Sequence, residues 1–287
     1  MEKIKILIEL TRLNKPIGFL LLFWPCTWGL TLGYYFNSEI KIYLYYTILF
    51  FLGSVLMRSA GCIFNDIVDR DLDKKVKRTK LRPIAAGKIS ILESLIYVIF
   101  LCLISFFILL QFNNLTIILG MGSMVLAFAY PFMKRITYWP QFFLGLTFNW
   151  GIIMGWTAIV NNISIEPFLL YLSAIFWTLG YDTVYGLQDI KDDEIIGIKS
   201  TSIKFKKNVK TFVGSCYSLC VLFILILCIM IEIDKYLFIF SLLFVLTLIY
   251  QVKFFKINNP KSCLAAFKLN NFTGMFIFLF ILTFSIQ

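Results

Sequence analysis

The chain has 287 residues, 60% of them hydrophobic and only 15% charged, with a mean hydropathy of +0.84. Soluble domains carry roughly 45–50% apolar and about 25% charged residues, so this composition excludes a water-soluble fold and indicates an integral membrane protein. The chain has no histidine, which excludes His-based triads and His-ligated zinc, and its net charge of +11 reads as basic membrane loops rather than a nucleic-acid surface.

In chain order, residues 1–15 set Ile4, Leu7, Ile8 and Leu10 against Lys3, Lys5 and Arg12. This pattern predicts a short interfacial helix. It is not a cleavable signal, because Glu2 and Glu9 interrupt its basic region and the apolar run that follows is of full spanning length. A bilayer core about 30 Å thick needs about 20 apolar residues per helix. Nine segments meet that length: 17–36, 43–64, 91–111, 115–132, 141–160, 167–186, 211–231, 236–254 and 267–286. No soluble domain fits between them, so residues 1–287 are expected to form one all-α transmembrane domain. The seven cysteines lack CxxC spacing and lie mostly in apolar runs; Cys216 and Cys220, one turn apart, read as packing residues.

The N-terminus and the even-numbered connections hold 24 of the 27 Lys and Arg residues, whereas the opposite side holds Lys41 and Lys235, and Arg58 lies inside a span. This alternation predicts a cytoplasmic N-terminus and a C-terminus across the membrane. The two longest connections, 65–90 and 187–210, are cytoplasmic, begin with acidic clusters and stand four spans apart. That spacing suggests two four-helix halves around a central cavity, plus one further helix.

The first cluster runs Asn65-Asp66-Ile67-Val68-Asp69-Arg70-Asp71-Leu72-Asp73. On an unbroken helix Asp66, Asp69 and Asp73 fall within about 60° of one another, with Asn65 and Arg58 along the edge and Asp71 on the other face. In the second cluster Asp182, Tyr185, Asp189 and Asp193 fall within about 80°, with Asp192 flanking them. Two carboxylate stripes without Cys or His suit a hard cation, Mg²⁺ above all. Mg²⁺ held by carboxylates completes its shell with substrate phosphate. Cations for that phosphate follow in Lys77, Arg78, Lys80 and Arg82 and at the end of the fourth span in Lys134 and Arg135. Arg58, an ionisable group within a span, is expected to face the bundle interior or a water-filled cavity.

These residues resemble the UbiA superfamily of intramembrane aromatic prenyltransferases. Its NDxxDxxxD motif is matched by Asn65, Asp66, Asp69 and Asp73, its DxxxD by Asp189 and Asp193, and its YxxxK by Tyr130 and Lys134. Lys15-Pro16-Ile17-Gly18, Met57-Arg58-Ser59-Ala60-Gly61-Cys62 and Gly197-Ile198-Lys199-Ser200-Thr201 extend the likeness, which weakens after about residue 205. The details are most similar to members that prenylate 4-hydroxybenzoate in ubiquinone biosynthesis. The resemblance implies a bacterial inner-membrane enzyme that transfers a polyprenyl group, octaprenyl in the nearest type, from its diphosphate to the ring carbon ortho to the hydroxyl. It implies Mg²⁺ bridging the diphosphate to Asp66, Asp69 and Asp73 on one side and Asp189 and Asp193 on the other, with Asn65 and Asp66 as ligands or their supports. Arg78, Arg82 and Lys134 then neutralise the leaving diphosphate, and Tyr130 and Tyr185 shield the allylic cation. Arg58 is assigned either to the benzoate carboxylate or to the diphosphate. Asp71, Asp182, Asp192 and Glu194 receive no role.

Physical reasoning favours a membrane site as well. Withdrawing a polyprenyl tail from lipid costs about 0.8 kcal/mol per CH₂, so the headgroup is better brought to a site inside the bilayer. The rival readings are another acceptor within the same family and, from a different class, a transporter built on the intramembrane charges.

Overall fold

The computed structural model describes residues 2–37 and 39–286, and among them every regular element is helical. An N-terminal helix α1 (Glu2–Thr11) precedes α2 (Ile17–Phe36), α3 (Ile40–Val68), a single turn α4 (Arg70–Asp73), α5 (Ile91–Leu109) and α6 (Asn114–Ile136). There follow α7 (Pro140–Asn149), α8 (Gly151–Val160), α9 (Ile165–Gly186), α10 (Ile190–Ile195), α11 (Thr201–Lys204) and α12 (Val209–Met230). A 3₁₀ segment Lys235–Phe240 leads into α13 (Ser241–Phe254), and α14 (Pro260–Leu282) ends in a 3₁₀ turn.

Eight helical stretches among the described residues are long and apolar enough to cross a membrane, α7 with α8 and the 3₁₀ segment with α13 each forming one. The ninth expected span is α9, 22 residues long but less apolar. The difference has a packing cause. Most of α9 is buried against α7, α12 and α14, so its side chains meet protein and are free of the lipid's demand for apolar surface. At the other extreme, α5 presents Leu92, Ile96, Ile99, Phe100 and Phe107 outward. The fifth span is interrupted near Trp150, where the α7–α8 junction brings the buried Asn149 against α9: its amide donates to Ala174 O at 3.0 Å and to Thr178 Oγ1 at 2.8 Å.

Helix α2 is central, packed against α3, α8 and α14. Its approach to α8 needs glycine, since a Cβ on Gly29 would run into the backbone of Ile152 and one on Gly155 into the carbonyl of Cys26. The far side is held by a buried polar network. Trp177 Nε1 donates to Asn270 Oδ1 at 2.8 Å, Gln251 Oε1 accepts from Tyr217 and Asn270, and Gln251 Nε2 donates to Thr273 Oγ1 at 3.0 Å. These bonds join α9, α12, α13 and α14, and satisfied polar groups of this kind tie helices together where lipid offers no partners. All seven cysteines are free.

Candidate active site

The first acidic cluster does not lie on one unbroken helix. Helix α3 stops at Val68, and Asp69 (φ −93°, ψ 2°) caps it before the turn of α4. The three carboxylates still turn inward together: Asp66, Asp69 and Asp73 are 2%, 1% and 7% exposed, while Asp71 points to solvent and pairs with Arg70 and Lys74. The kink therefore preserves the face that helical spacing anticipated. Gly87, with φ +72°, turns the following loop back toward α5, whose N-terminus is closed by a Ser90–Glu93 capping box.

Each buried carboxylate is met by a cation from another segment. Asp66 accepts from Arg12 Nη2 at 2.6 Å and from Arg82 Nη1 at 3.0 Å; the same Arg82 nitrogen donates to Asp73 Oδ2 at 2.8 Å. Asp69 pairs with Lys134 at the end of α6, with Arg135 3.8 Å away on its other oxygen. In the sequence Arg12 belongs only to the polar side of the N-terminal interfacial helix. It stands in the left-handed region (φ 54°) between α1 and α2, and the ion pair with Asp66 holds it in that uncommon conformation. Burial raises the Asp73 carboxyl above its ordinary value, as does the neighbouring Asp66, against the pull of Arg82.

The second cluster begins where α9 ends. Asp189 caps α10 and Asp193 lies one turn on. Arg78 clamps Asp189, with Nε at 2.9 Å and Nη2 at 2.5 Å, and donates through Nη1 to Tyr185 Oη at 3.4 Å. The backbone N–H of Lys77 reaches Asp192 Oδ2 at 3.2 Å. The loop after the first cluster thus lies directly on the second, and the two motifs share one rim. Asp193 is pushed up to about 7, first by burial and then by repulsion from Asp189, with Lys134 and Arg78 opposing.

Beneath this rim a cavity of about 1420 Å³ descends into the bundle. Asn65, Asp66, Arg78, Arg82, Tyr130 and Tyr185 line its polar end. Phe50, Phe106, Leu109, Phe112 and Met154 line its apolar end. Arg58 faces the cavity, as expected of an intramembrane charge, with its guanidinium 5.1 Å from the Phe148 ring centroid. Gly18 makes room for it: a Cβ there would stand 2.8 Å from Arg58 Nε. Asp182 also faces the cavity. The structure does not bring all five motif carboxylates to the cavity wall. Among the described residues Asp66 is the one of the five that lines it; Asp69, Asp73, Asp189 and Asp193 stand off the wall, Asp73 and Asp189 held by Arg82 and Arg78, which line it, and no three acidic or thiol side chains of the described residues are gathered closely enough to enclose a metal ion. Arginine and lysine side chains pair with Asp66, Asp69, Asp73 and Asp189 and offset the repulsion among them.

A bundle of membrane-length helices with two acidic motifs at one rim of a deep, mostly apolar cavity is the architecture of an intramembrane enzyme for an amphipathic substrate with a charged head. The sequence matches the UbiA prenyltransferase family over residues 22–280, and the chain belongs to that family. It is an integral membrane protein, and membership displaces the transporter reading. It is 39% identical over 275 residues to a 4-hydroxybenzoate octaprenyltransferase of Coxiella burnetii, covering 96% of this chain and 94% of that protein. It is 47% identical over 210 residues to the mitochondrial 4-hydroxybenzoate polyprenyltransferase of Arabidopsis thaliana, a match covering 73% of this chain and only 51% of that longer protein. Among solved structures, the apo form of a UbiA homolog from Aeropyrum pernix K1 superposes with a TM-score of 0.78 at 22% identity, over 93% of this chain and 98% of that one. A UbiA homolog from Archaeoglobus fulgidus bound to GPP and Mg²⁺ superposes with a TM-score of 0.73 at 17% identity, over 97% and 99%.

Proposed function

We propose that this protein transfers a polyprenyl group, octaprenyl in the reading its bacterial relative supports, from polyprenyl diphosphate to the ring carbon ortho to the hydroxyl of 4-hydroxybenzoate, in ubiquinone biosynthesis. The observation that carries it is the cavity itself. A rim of paired carboxylates and arginines opens onto an apolar chamber that accepts an isoprenoid chain.

Mg²⁺ fits the rim. Its donors are all oxygen, and Asp69 keeps one buried oxygen, Oδ1, without a hydrogen-bond donor. Asp66, Asp69, Asp73, Asp189 and Asp193 are the residues that would hold it, with Asn65 supporting them. Bound there, the ion supplies Lewis-acid neutralisation of the diphosphate. Arg78, Arg82 and Lys134, now spent on these carboxylates, are placed to take up the negative charge that develops as diphosphate leaves. Tyr130 and Tyr185 present π faces to the allylic cation, and the apolar lower wall keeps water from quenching it. Arg58 binds the carboxylate of the aromatic acid. In this reading the N-terminus, the rim and both motif loops are cytoplasmic and the C-terminus lies across a bacterial inner membrane, an orientation that the charge asymmetry of the loops supports.

Product identity tests this reading. Membranes containing the protein, given polyprenyl diphosphate, 4-hydroxybenzoate and Mg²⁺, are expected to yield the 3-polyprenyl acid with its phenol free. An ether at the phenolic oxygen, or transfer only to a different acceptor, overturns it.

A further inference from the structure

Arg58 and Asp182 are charged groups within spans, and neither is used by the rim. Arg58 lies eight residues before Asp66 on α3, and Asp182 lies four residues before the end of α9, whose last turn continues through i→i+3 bonds to Asp189, so both sit about 12 Å below the carboxylate layer. They share one depth, on helices that end at the same rim. Both line the cavity, with Tyr130 and Tyr185 beside them. No ion pair joins them within 4 Å, and Arg58 instead rests on Phe148. Two opposite charges facing each other across an apolar chamber without touching leave an unmet demand at both ends.

We infer that Asp182 is the acceptor-site residue that receives the phenolic hydroxyl of the aromatic acid, while Arg58 holds the carboxylate at the opposite end of the ring. This rests on the prenyl-transfer reading above. A para-hydroxy acid is the ligand that satisfies both charges at once, because its anion and its O–H donor lie at opposite poles of a flat ring. Spanning from α3 to α9, the ring lies across the cavity at one depth. Its edge ortho to the hydroxyl then faces the rim, where the allylic carbon parts from diphosphate.

The Asp182 carboxylate also makes the ring a better nucleophile. A ring π pair forms the new C–C bond, and the allylic C–O bond breaks with its electrons staying on the diphosphate. The phenolic proton passes to Asp182, leaving a neutral dienone. The hydrogen on the alkylated carbon then goes to the departed diphosphate, Asp182 returns its proton to the oxygen, and the ring is aromatic again. Asp182 belongs to none of the matched motifs, and its role depends on a partner 124 positions away in the chain.

The test uses the full-length protein in lipid with Mg²⁺, comparing wild type with Asp182→Asn for transfer to 4-hydroxybenzoate and for inhibition by benzoate, which lacks the hydroxyl. The variant is expected to lose about 10- to 100-fold in kcat/KM for 4-hydroxybenzoate, the range for a hydrogen bond to a charged group. The KM for polyprenyl diphosphate and the inhibition constant of benzoate should stay within about twofold, since neither ligand uses the hydroxyl contact. Equal weakening of all three, or unchanged kcat/KM, overturns the inference. If Asp182→Asn does not insert, Asp182→Glu, which keeps the charge but moves it by one methylene, should still lower kcat/KM for 4-hydroxybenzoate while leaving the KM for polyprenyl diphosphate and the inhibition constant of benzoate within about twofold. A wild type that makes no product from 4-hydroxybenzoate refutes the functional reading and, with it, the inference; an active wild type with an unaffected variant refutes the inference alone.

Discussion

Gly18→Ala is a small change whose consequence can be worked out from geometry. The added Cβ would stand 2.8 Å from Arg58 Nε, 3.4 Å from Nη2 and 3.5 Å from Cζ. Ordinary contact requires the guanidinium to retreat by roughly 0.7 Å. It can do so, because the atoms in the way are the end of a flexible side chain and not backbone. The fold should therefore survive, with a thermal midpoint in detergent within about 3 °C of wild type, as for a change well below 1 kcal/mol. The guanidinium itself moves off its place on Phe148. A 1 Å misplacement of a positioning group costs up to about 100-fold, so a shift of this size is expected to lower kcat/KM for 4-hydroxybenzoate by about 10-fold while sparing the KM for polyprenyl diphosphate. Gly155→Ala is the control, since its Cβ meets the carbonyl of Cys26 and neither helix can yield there. That variant should lose thermal stability, and the molecules that remain folded should keep wild-type acceptor kinetics. The reasoning fails if Gly18→Ala raises the diphosphate KM as much as the acceptor KM, which would move Arg58 to the diphosphate, or if acceptor kinetics do not change at all.

Asp69→Asn and Asp189→Asn should each abolish measurable turnover while leaving membrane insertion intact, checked by extraction and transfer assays on the same membranes; full activity in either would remove that residue from the metal site. Arg82→Ala strips the shared counter-charge from Asp66 and Asp73, two carboxylates almost out of solvent. Breaking a buried pair costs about 3–5 kcal/mol, reduced here because Arg12 still serves Asp66, and added Mg²⁺ should restore more of the lost thermal stability in this variant than in wild type. A variant whose melting is no more sensitive to Mg²⁺ than wild type contradicts a metal at that rim. Asn270→Leu removes the acceptor of Trp177 Nε1 and a donor to Gln251 in the buried interior of the bundle. At about 0.6 kcal/mol per intramembrane hydrogen bond, with a maximum near 1.7, the variant should melt measurably lower without a change in acceptor KM.

Much of this fold was legible from the chain, for reasons the structure makes plain. The span 17–36 coincides with α2 because Pro16 and a polar turn bound an uninterrupted apolar run. Span lengths elsewhere shifted by a few residues, most at α14, which begins at Pro260 and not 267, since Pro260, Lys261 and Ser262 lower the apparent apolarity of its first turn. The 3₁₀ segment before α13 and the interruption at Trp150 leave no mark in hydropathy. At the site, the inward face of Asp66, Asp69 and Asp73 followed from spacing alone, even though the helix carrying them breaks at Asp69. Arg12 did not follow. Its contact with Asp66 depends on a left-handed turn in a non-glycine residue, which no local pattern announces. The need for glycine at position 18 is equally silent in sequence, because it exists only once Arg58 arrives from another helix.

Mg²⁺-dependent transfer of an aromatic acid into lipid tests the central claim most directly. Membranes carrying the protein are incubated with polyprenyl diphosphate and radiolabelled 4-hydroxybenzoate, with Mg²⁺ or with excess EDTA, and the label in the lipid extract is counted. The expected result is lipid-soluble label with Mg²⁺ and none with EDTA. Label that persists in EDTA would contradict a metal-held diphosphate, and the absence of label in both, from protein shown to be inserted, would contradict 4-hydroxybenzoate as the acceptor.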